Sequence, residues 1–398
     1  MYRIANVVIF LFFVIISWCF KASYFSFAIG LFTLFIVSEV IYKYKYGVRI
    51  LPHGSESFRY WSTGIFMLYL LFLLAAVFHH DRSDIVQSIN YMCLTAPFFM
   101  TWWISGRYSV EKGVKWGILV GMLIACGIGA YQWYLQPGIR VQSSYASPNH
   151  FGTMIDITVP FIAYFMLSCK NTIYRIIASI VLLGQAFCLY ATSSRGALIG
   201  LMGGLILSTL VSWFVARQGT QFHFRKSVVA LVLGLVILGG FGAYYMEHGR
   251  TESHLGGERM FMIEASIDMW KDHPLIGVGA AHWYENYYGK YHPEGASEKG
   301  LTMPHNMPLY FLSTGGILGG IGFIAFYVLS FVGLYLALRK QGSFLLSICA
   351  LISFFAFFIQ GLVDTTIINK IPARMYFALM GYLTALSINN DEKNSNKK

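Results

Sequence analysis

Charge is what this chain has least of. Asp, Glu, Lys and Arg make up 12% of its 398 residues, where a soluble domain carries about a quarter. With 56% hydrophobic residues beside it, that shortage excludes an ordinary soluble globule. Cysteine is scarce too. The six cysteines, Cys19, Cys93, Cys126, Cys169, Cys188 and Cys349, have no CxxC spacing and fall in or beside apolar runs. They read as small buried hydrophobes, which excludes a disulfide framework and a cysteine metal site. HExxH and GxSxG are both absent, so neither a short zinc-protease motif nor a nucleophile elbow is present. Gly277-Val278-Gly279 lacks the strand and the remaining glycines of a dinucleotide fingerprint, and reads as a tight turn. The apolar run after Arg3 has no convincing A-x-A cleavage site, and a second run follows almost at once. It reads as an uncleaved first helix.

Long apolar runs take the place of charge. They predict spans over 4–20, 24–42, 60–78, 91–106, 114–135, 151–169, 175–191, 196–216, 227–246, 316–338, 343–363 and 375–388, the last short enough to start earlier. The fold class expected is an all-α membrane protein with about 12 transmembrane helices and one large outer loop containing short helices. The expected organisation is a membrane bundle over 1–246, a polar loop with the working residues over 247–315, a second bundle over 316–388 and a disordered tail over 389–398. The chain has 33 Phe, 26 Tyr and 9 Trp, ample for lipid contact and interfacial belts. Its net charge of +11 does not mark a nucleic-acid binder, because the basic residues sit in short loops between spans. They carry topology first, with attraction to anionic lipid or an anionic substrate as a second possibility. With both termini inside, most of the 29 basic residues fall in cytoplasmic segments, while short outer loops hold only Lys21, Arg82, Arg140, Arg195, Lys370 and Arg374. This bias predicts cytoplasmic termini and an outer position for 247–304.

Within that loop, Gly256-Gly257 precedes a helical stretch over about 258–272. Met260, Ile263, Ile267 and Trp270 recur at spacings of three and four and predict one apolar face. His273-Pro274 ends the helix. Trp283, Tyr284, Tyr287 and Tyr288 suit either stacking on a substrate or anchoring in the interface.

Four outward clusters and one short loop could carry chemistry. Residues 140–152 hold Arg140, Asn149 and His150, either in a plain turn or in a site. Arg195, inside Ser193-Ser194-Arg195-Gly196-Ala197, is either a snorkelling anchor or a phosphate ligand, since guanidinium donors match phosphate oxygens and small neighbours admit a bulky headgroup. Glu258-Arg259, at the start of the loop helix, is either a surface ion pair or an anion attractor. His305-Asn306 closes the polar loop beside the next span. A lone histidine is more often structural, yet this one is placed for proton transfer near neutral pH. Gly315, Gly316, Gly319 and Gly320 follow it and permit close helix packing. Asp364, in the loop with Lys370 and Arg374, could orient His305, pair with an arginine or cap a helix. The loop histidines His248, His254, His273, His282, His292 and His305 show no short metal-ligand spacing. No metal or other cofactor is expected.

The order SSRGA, then ER…W..HPLIGVG, then PHN.PL..L...G.LG resembles the O-antigen ligase and polymerase superfamily, most strongly over about 140–325. In the ligase branch a His is followed by Asn, Ser or Gln, nine residues, Gly, two residues, Gly or Thr, and Thr. His305, Asn306, Gly316 and Gly319 fit that pattern, and Gly320 stands where it closes on Thr. The resemblance implies an inverting, metal-independent glycosyltransferase at the outer face of the bacterial inner membrane. Its donor would be an undecaprenyl-diphosphate-linked glycan and its acceptor a sugar hydroxyl of lipid A–core. The family's essential histidine maps onto His305 and its arginines onto Arg195 and Arg259, with Arg140 and Asn149 matching more loosely. In this reading Arg195 and Arg259 stabilise the leaving diphosphate and His305 takes the acceptor proton. Arg140, Asn149, His150, Asn306 and Asp364 would bind substrate. The alternatives are an O-antigen or exopolysaccharide polymerase, a protein O-oligosaccharyltransferase and, from another class, a polytopic transporter. A transporter would favour broken spans with polar residues near the midplane.

Overall fold

The computed structural model describes residues 2–18, 22–47, 52, 54–217, 254–297, 300–339 and 344–395, and every regular element among them is a helix. The expected span 227–246 and the start of the polar loop lie outside the described residues. The first helices are α1 (Tyr2–Trp18), α2 (Ala22–Lys45) and α3 (Glu56–Phe78). Two short helices follow, α4 (Arg82–Cys93) and α5 (Ala96–Ser105). Next come α6 (Glu111–Leu135), α7 (Pro148–Ser168), α8 (Thr172–Thr192) and α9 (Arg195–Arg217). The polar region contributes α10 (His254–Asp272) and α11 (Trp283–Gly289), and the chain ends with α12 (Met307–Arg339), α13 (Phe344–Gly361) and α14 (Lys370–Ser395). Among the described residues, 7 helices (α3, α6, α7, α8, α9, α12 and α13) are long and apolar enough to cross a membrane.

The caps follow from side-chain chemistry. Ser55 accepts the Phe58 N–H at 3.0 Å, Asn171 that of Tyr174 at 3.0 Å, and Ser147 that of His150 at 3.2 Å, each satisfying an amide that the first helical turn leaves open. The expected span 91–106 is broken into α4 and α5. Pro97 enters the first turn of α5, and a proline there has no N–H to continue the preceding helix. The last helix starts well before 375 and runs on to Ser395, through most of the expected tail.

Helices pair by close backbone approach. A Cβ on Gly117 would press on the Phe10 carbonyl of α1, one on Gly204 on the Ile352 carbonyl of α13, one on Gly322 on the Leu68 backbone of α3, and one on Gly381 on the Phe98 carbonyl of α5. In a bilayer, where lipid tails are as apolar as leucine, such packing and interhelical hydrogen bonds drive association. Thr101 Oγ1 donates to the Ala378 carbonyl at 2.8 Å and Ser55 Oγ to the Thr384 carbonyl at 2.9 Å. Large side chains such as Leu34, Leu183 and Ile324 face outward, as a lipid-facing belt requires.

Helix α12 breaks at Gly316 (φ 59°, ψ −153°). There Ile317 donates its N–H to the Pro274 carbonyl at 2.8 Å, and the Ser313 carbonyl accepts from Val278 N–H at 2.8 Å. In a continuous helix those two groups would bond to each other. The segment 274–279 thus slots into the break, and Gly279 N–H adds a bond to the Thr314 carbonyl at 3.0 Å. A Cβ on Gly316 would overlap the Leu275–Ile276 backbone, and one on Gly277 (φ 72°) that of Ser313–Thr314. Gly316 serves this insertion, not the smooth helix packing expected of it.

The polar region has its own small core of Met262, Ala265, Met269, Trp283, Tyr287 and Leu301. Met262, Ala265, Ser266 and Met269 are the buried face of α10, so the face expected from Met260, Ile263, Ile267 and Trp270 is rotated. Met260 is exposed and the other three are half-buried. The partner sets the face. Trp283 stacks on Tyr287 at 5.0 Å and donates to Ser266 Oγ at 3.1 Å. These two aromatics are therefore loop core and are open neither to sugar nor to lipid. Cys126, Cys188 and Cys349 are buried as expected, but Cys93 is exposed.

Candidate active site

The C-terminal end of α8, the N-terminal ends of α7, α9 and α12 and the loop after α13 meet at one end of the bundle. Val141 N–H bonds the Ala191 carbonyl at 3.0 Å, which lays the 136–147 loop across the end of α8. Arg140 then donates from Nε to the Thr192 carbonyl and from Nη2 to Asn149 Oδ1, both at 3.0 Å. Gly152 of α7 faces Ser194 and Ala197, and Gly196 of α9 faces Gln360 and Val363. Small residues at 194, 196 and 197 let these backbones approach, so the half-buried Arg195 is carried to the same junction. Gln360 Nε2 bridges to the Asn149 carbonyl at 3.4 Å.

His305 stands at the centre. Its φ of 47° is a left-handed conformation uncommon for a non-glycine residue. Asn306 fixes the turn: its Oδ1 caps α12 by accepting Leu309 N–H at 2.9 Å, and its Nδ2 donates to the Leu362 carbonyl at 2.9 Å. His305 Nδ1 lies 2.9 Å from Asp364 Oδ1, with the histidine side chain 32% exposed and the aspartate 6%. Thr365 N–H donates to the same oxygen at 2.7 Å. Burial pushes the Asp364 carboxyl up, but the hydrogen bond and charge of His305, the Thr365 amide and His150 outweigh it and hold the group below the usual carboxylate range. An ionised carboxylate only accepts. His305 therefore carries a ring hydrogen on Nδ1, and in the neutral form of the ring Nε2 holds the lone pair. That is the tautomer a general base needs. His150, in the first turn of α7, sits beside Asp364, His305 and Asn369.

Seven of the eight residues singled out in the sequence, Arg140, Asn149, His150, Arg195, His305, Asn306 and Asp364, meet at this junction. Arg259 does not join them. It is exposed on α10, and no hydrogen bond among the described residues links it to the cluster. Because α10 starts at His254, Arg259 lies in its second turn and not at its N-terminus. Glu258 is buried and not on the surface; it accepts from Ser297 N and Oγ at 2.8 and 2.7 Å. Three polar residues here escaped the sequence reading: Gln360, Thr365, and Asn369, whose Nδ2 donates to the Thr365 carbonyl. A polar run after a strongly apolar span was the one signal available for them. Asp156, fully buried on α7 against Gly200 of α9, was also missed, since a single acid within a span breaks no pattern.

A multi-pass helical membrane protein with a polar, histidine-centred site at one end of its bundle is the class these features define. Residues 177–324 match the family model described as O-antigen ligase. The match takes in Arg195, Arg259, His305 and Asn306. No curated protein matches the chain.

Proposed function

We propose that the protein is an O-antigen ligase. It transfers a glycan from an undecaprenyl diphosphate to a sugar hydroxyl of lipid A–core at the outer face of the bacterial inner membrane, with cytoplasmic termini. The observation that carries this reading is the His305–Asp364 pair at 2.9 Å, beside Arg140 and Arg195 and within reach of a lipid-borne substrate. The acceptor hydroxyl attacks the anomeric carbon, its proton passes to His305 Nε2, and the bond from that carbon to the diphosphate oxygen breaks. One displacement inverts the centre. Asp364 orients the ring and stabilises the imidazolium as it forms, as the orienting acid does for other catalytic histidines. Arg195 and Arg140, with the positive N-terminal ends of α7 and α9, stabilise charge growing on the diphosphate. Diphosphate leaves readily, so no general acid is required. Arg259 needs a movement of α10 to take part.

The test is reconstitution of the purified protein with an undecaprenyl-diphosphate glycan and lipid A–core, in chelator, for wild type and His305→Ala. Glycan attached to lipid A–core is read by gel shift. Wild type transfers, and His305→Ala loses roughly 10²- to 10⁴-fold in rate. Lengthening of the lipid-linked glycan, with none on lipid A–core, reassigns the protein as a polymerase, the reading that Gly320 in place of the closing Thr favours. Neither product from folded protein refutes both.

A further inference from the structure

The corner between α3 and α4 carries a second cluster, which the transfer reaction does not use. His79 caps the end of α3, Asp81 caps the start of α4, Asp84 lies in its first turn, and His282 precedes α11. Asp84 is 1% exposed. Its Oδ1 accepts Ala281 N–H at 2.8 Å, while its Oδ2 has no aligned hydrogen-bond donor. His79 Nδ1 lies 2.9 Å from Oδ2 and is itself without an aligned partner. Hydrogen counting sharpens this. The Gly277 carbonyl can only accept, so His79 Nε2, 3.1 Å from it, bears the ring hydrogen. Nδ1 of the neutral ring is then a lone pair facing a carboxylate oxygen. His282 has the same problem, with Nε2 2.5 Å from Asp81 Oδ2 and Nδ1 3.0 Å from Glu285 Oε2. A neutral imidazole has one N–H for two such acceptors. Ser83 supplies its N–H to Asp81 Oδ1 at 2.8 Å and its hydroxyl 3.3 Å from His282 Nε2; with both rings neutral, the carboxylates of this corner have no positive partner.

We propose that this corner binds one divalent transition metal, with zinc the ion that fits, through Asp81, Asp84 and His282, with His79 Nδ1 as the fourth donor. The ligand atoms of Asp81, Asp84 and His282 all lie within 4.8 Å of one another. Zinc takes nitrogen and carboxylate oxygen at about 2.0–2.2 Å, which sets donors roughly 3.5 Å apart. His79 Nδ1 lies 2.9 Å from Asp84 Oδ2 but outside that group of three, so its ring must turn toward them to serve as the fourth donor. His79 already has the support typical of a metal-bound imidazole, its other nitrogen donating to a backbone carbonyl. A cation here ties the α3–α4 corner to residues 277–282, the segment whose start is inserted in the α12 break. Its role is to hold the outer loop in place. A Cβ on Gly279 (φ 99°) would overlap the Asp84 carboxylate, so glycine is what lets the loop reach the cluster.

The test uses the full chain in detergent, stripped with chelator, equilibrated with zinc at neutral pH and desalted. Metal content is read by inductively coupled plasma mass spectrometry and unfolding by thermal shift. Wild type retains about one zinc per chain, as a single four-coordinate site requires, and its melting temperature rises with zinc. His282→Gln and Asp84→Asn lose both, while His292→Gln, exposed in the same loop, keeps both. Because Asp84 is buried, Asp81→Asn is the second variant. The Asp81 side chain is 40% exposed, so its loss spares the fold and still lowers zinc affinity tenfold or more. Wild type that retains no zinc, or equal retention in Asp81→Asn and His282→Gln, overturns the proposal and leaves the cluster balanced by two protonated rings.

Discussion

Asp364 is where residue chemistry is most exposed to a test. Its carboxyl is held below the ordinary range in the folded protein, so the stabilisation it gives is present above the unfolded value of about 3.9. That contribution fades as pH falls through the lower folded value. Asp364→Asn should therefore be less stable than wild type at pH 7, and the gap should close under acid, as read by thermal unfolding in detergent across pH. A gap that does not change with pH would mean that the carboxylate charge contributes nothing. The same variant should slow transfer while leaving His305 in place. A general base should also leave its mark on the pH–rate profile. His305→Gln removes the titrating ring, so the acidic limb of the wild-type curve should vanish along with most of the rate.

Among the elements, α12 makes the sharpest demand on sequence. Gly316→Ala places a methyl group on the Leu275–Ile276 backbone at positive φ. Strained backbone of this kind costs about 1–3 kcal/mol before the overlap is counted. Gly320→Ala meets only the end of the Leu312 side chain, at 3.0 Å, and should stay within about 1 kcal/mol of wild type, since it replaces a helical glycine. Thermal unfolding of the two variants side by side checks the difference. Equal losses would deny the break its role. These two glycines also show what the sequence makes legible. The spacing His305-Asn306…Gly316…Gly319 can be read directly from the chain, but its meaning cannot, because the partner of Gly316 is some forty residues upstream. Apolar runs disclosed most helices, since length and hydropathy are local properties. The turn at Pro97 and the rotated face of α10 were hidden because other elements decide them. Asp364 was noticed beside the membrane, and of its possible partners the structure gives His305. The cluster of His79, Asp81, Asp84 and His282 had no sequence signature at all, since its two halves are about two hundred residues apart.

For the molecule as a whole, the proposed orientation has a direct readout. In a Cys93→Ser background, which removes the exposed thiol among the described residues, Glu294→Cys should react with an impermeant maleimide added to spheroplasts. Lys112→Cys, at the opposite end of the bundle, should react only after the membrane is opened. The reverse pattern would invert the proposed orientation. The inserted segment 274–279 has a further consequence, for the order in which the protein is made. Translation delivers Pro274 and Val278 before Ser313 and Ile317, so the groups that satisfy the broken helix already exist when its upper turns emerge. A backbone amide or carbonyl left unpaired in lipid costs several kcal/mol. In the proposed orientation, the upper half of α12 therefore gains a reason to settle only where the polar loop has been exported first, which would tie assembly of the site to the passage of that loop across the bilayer.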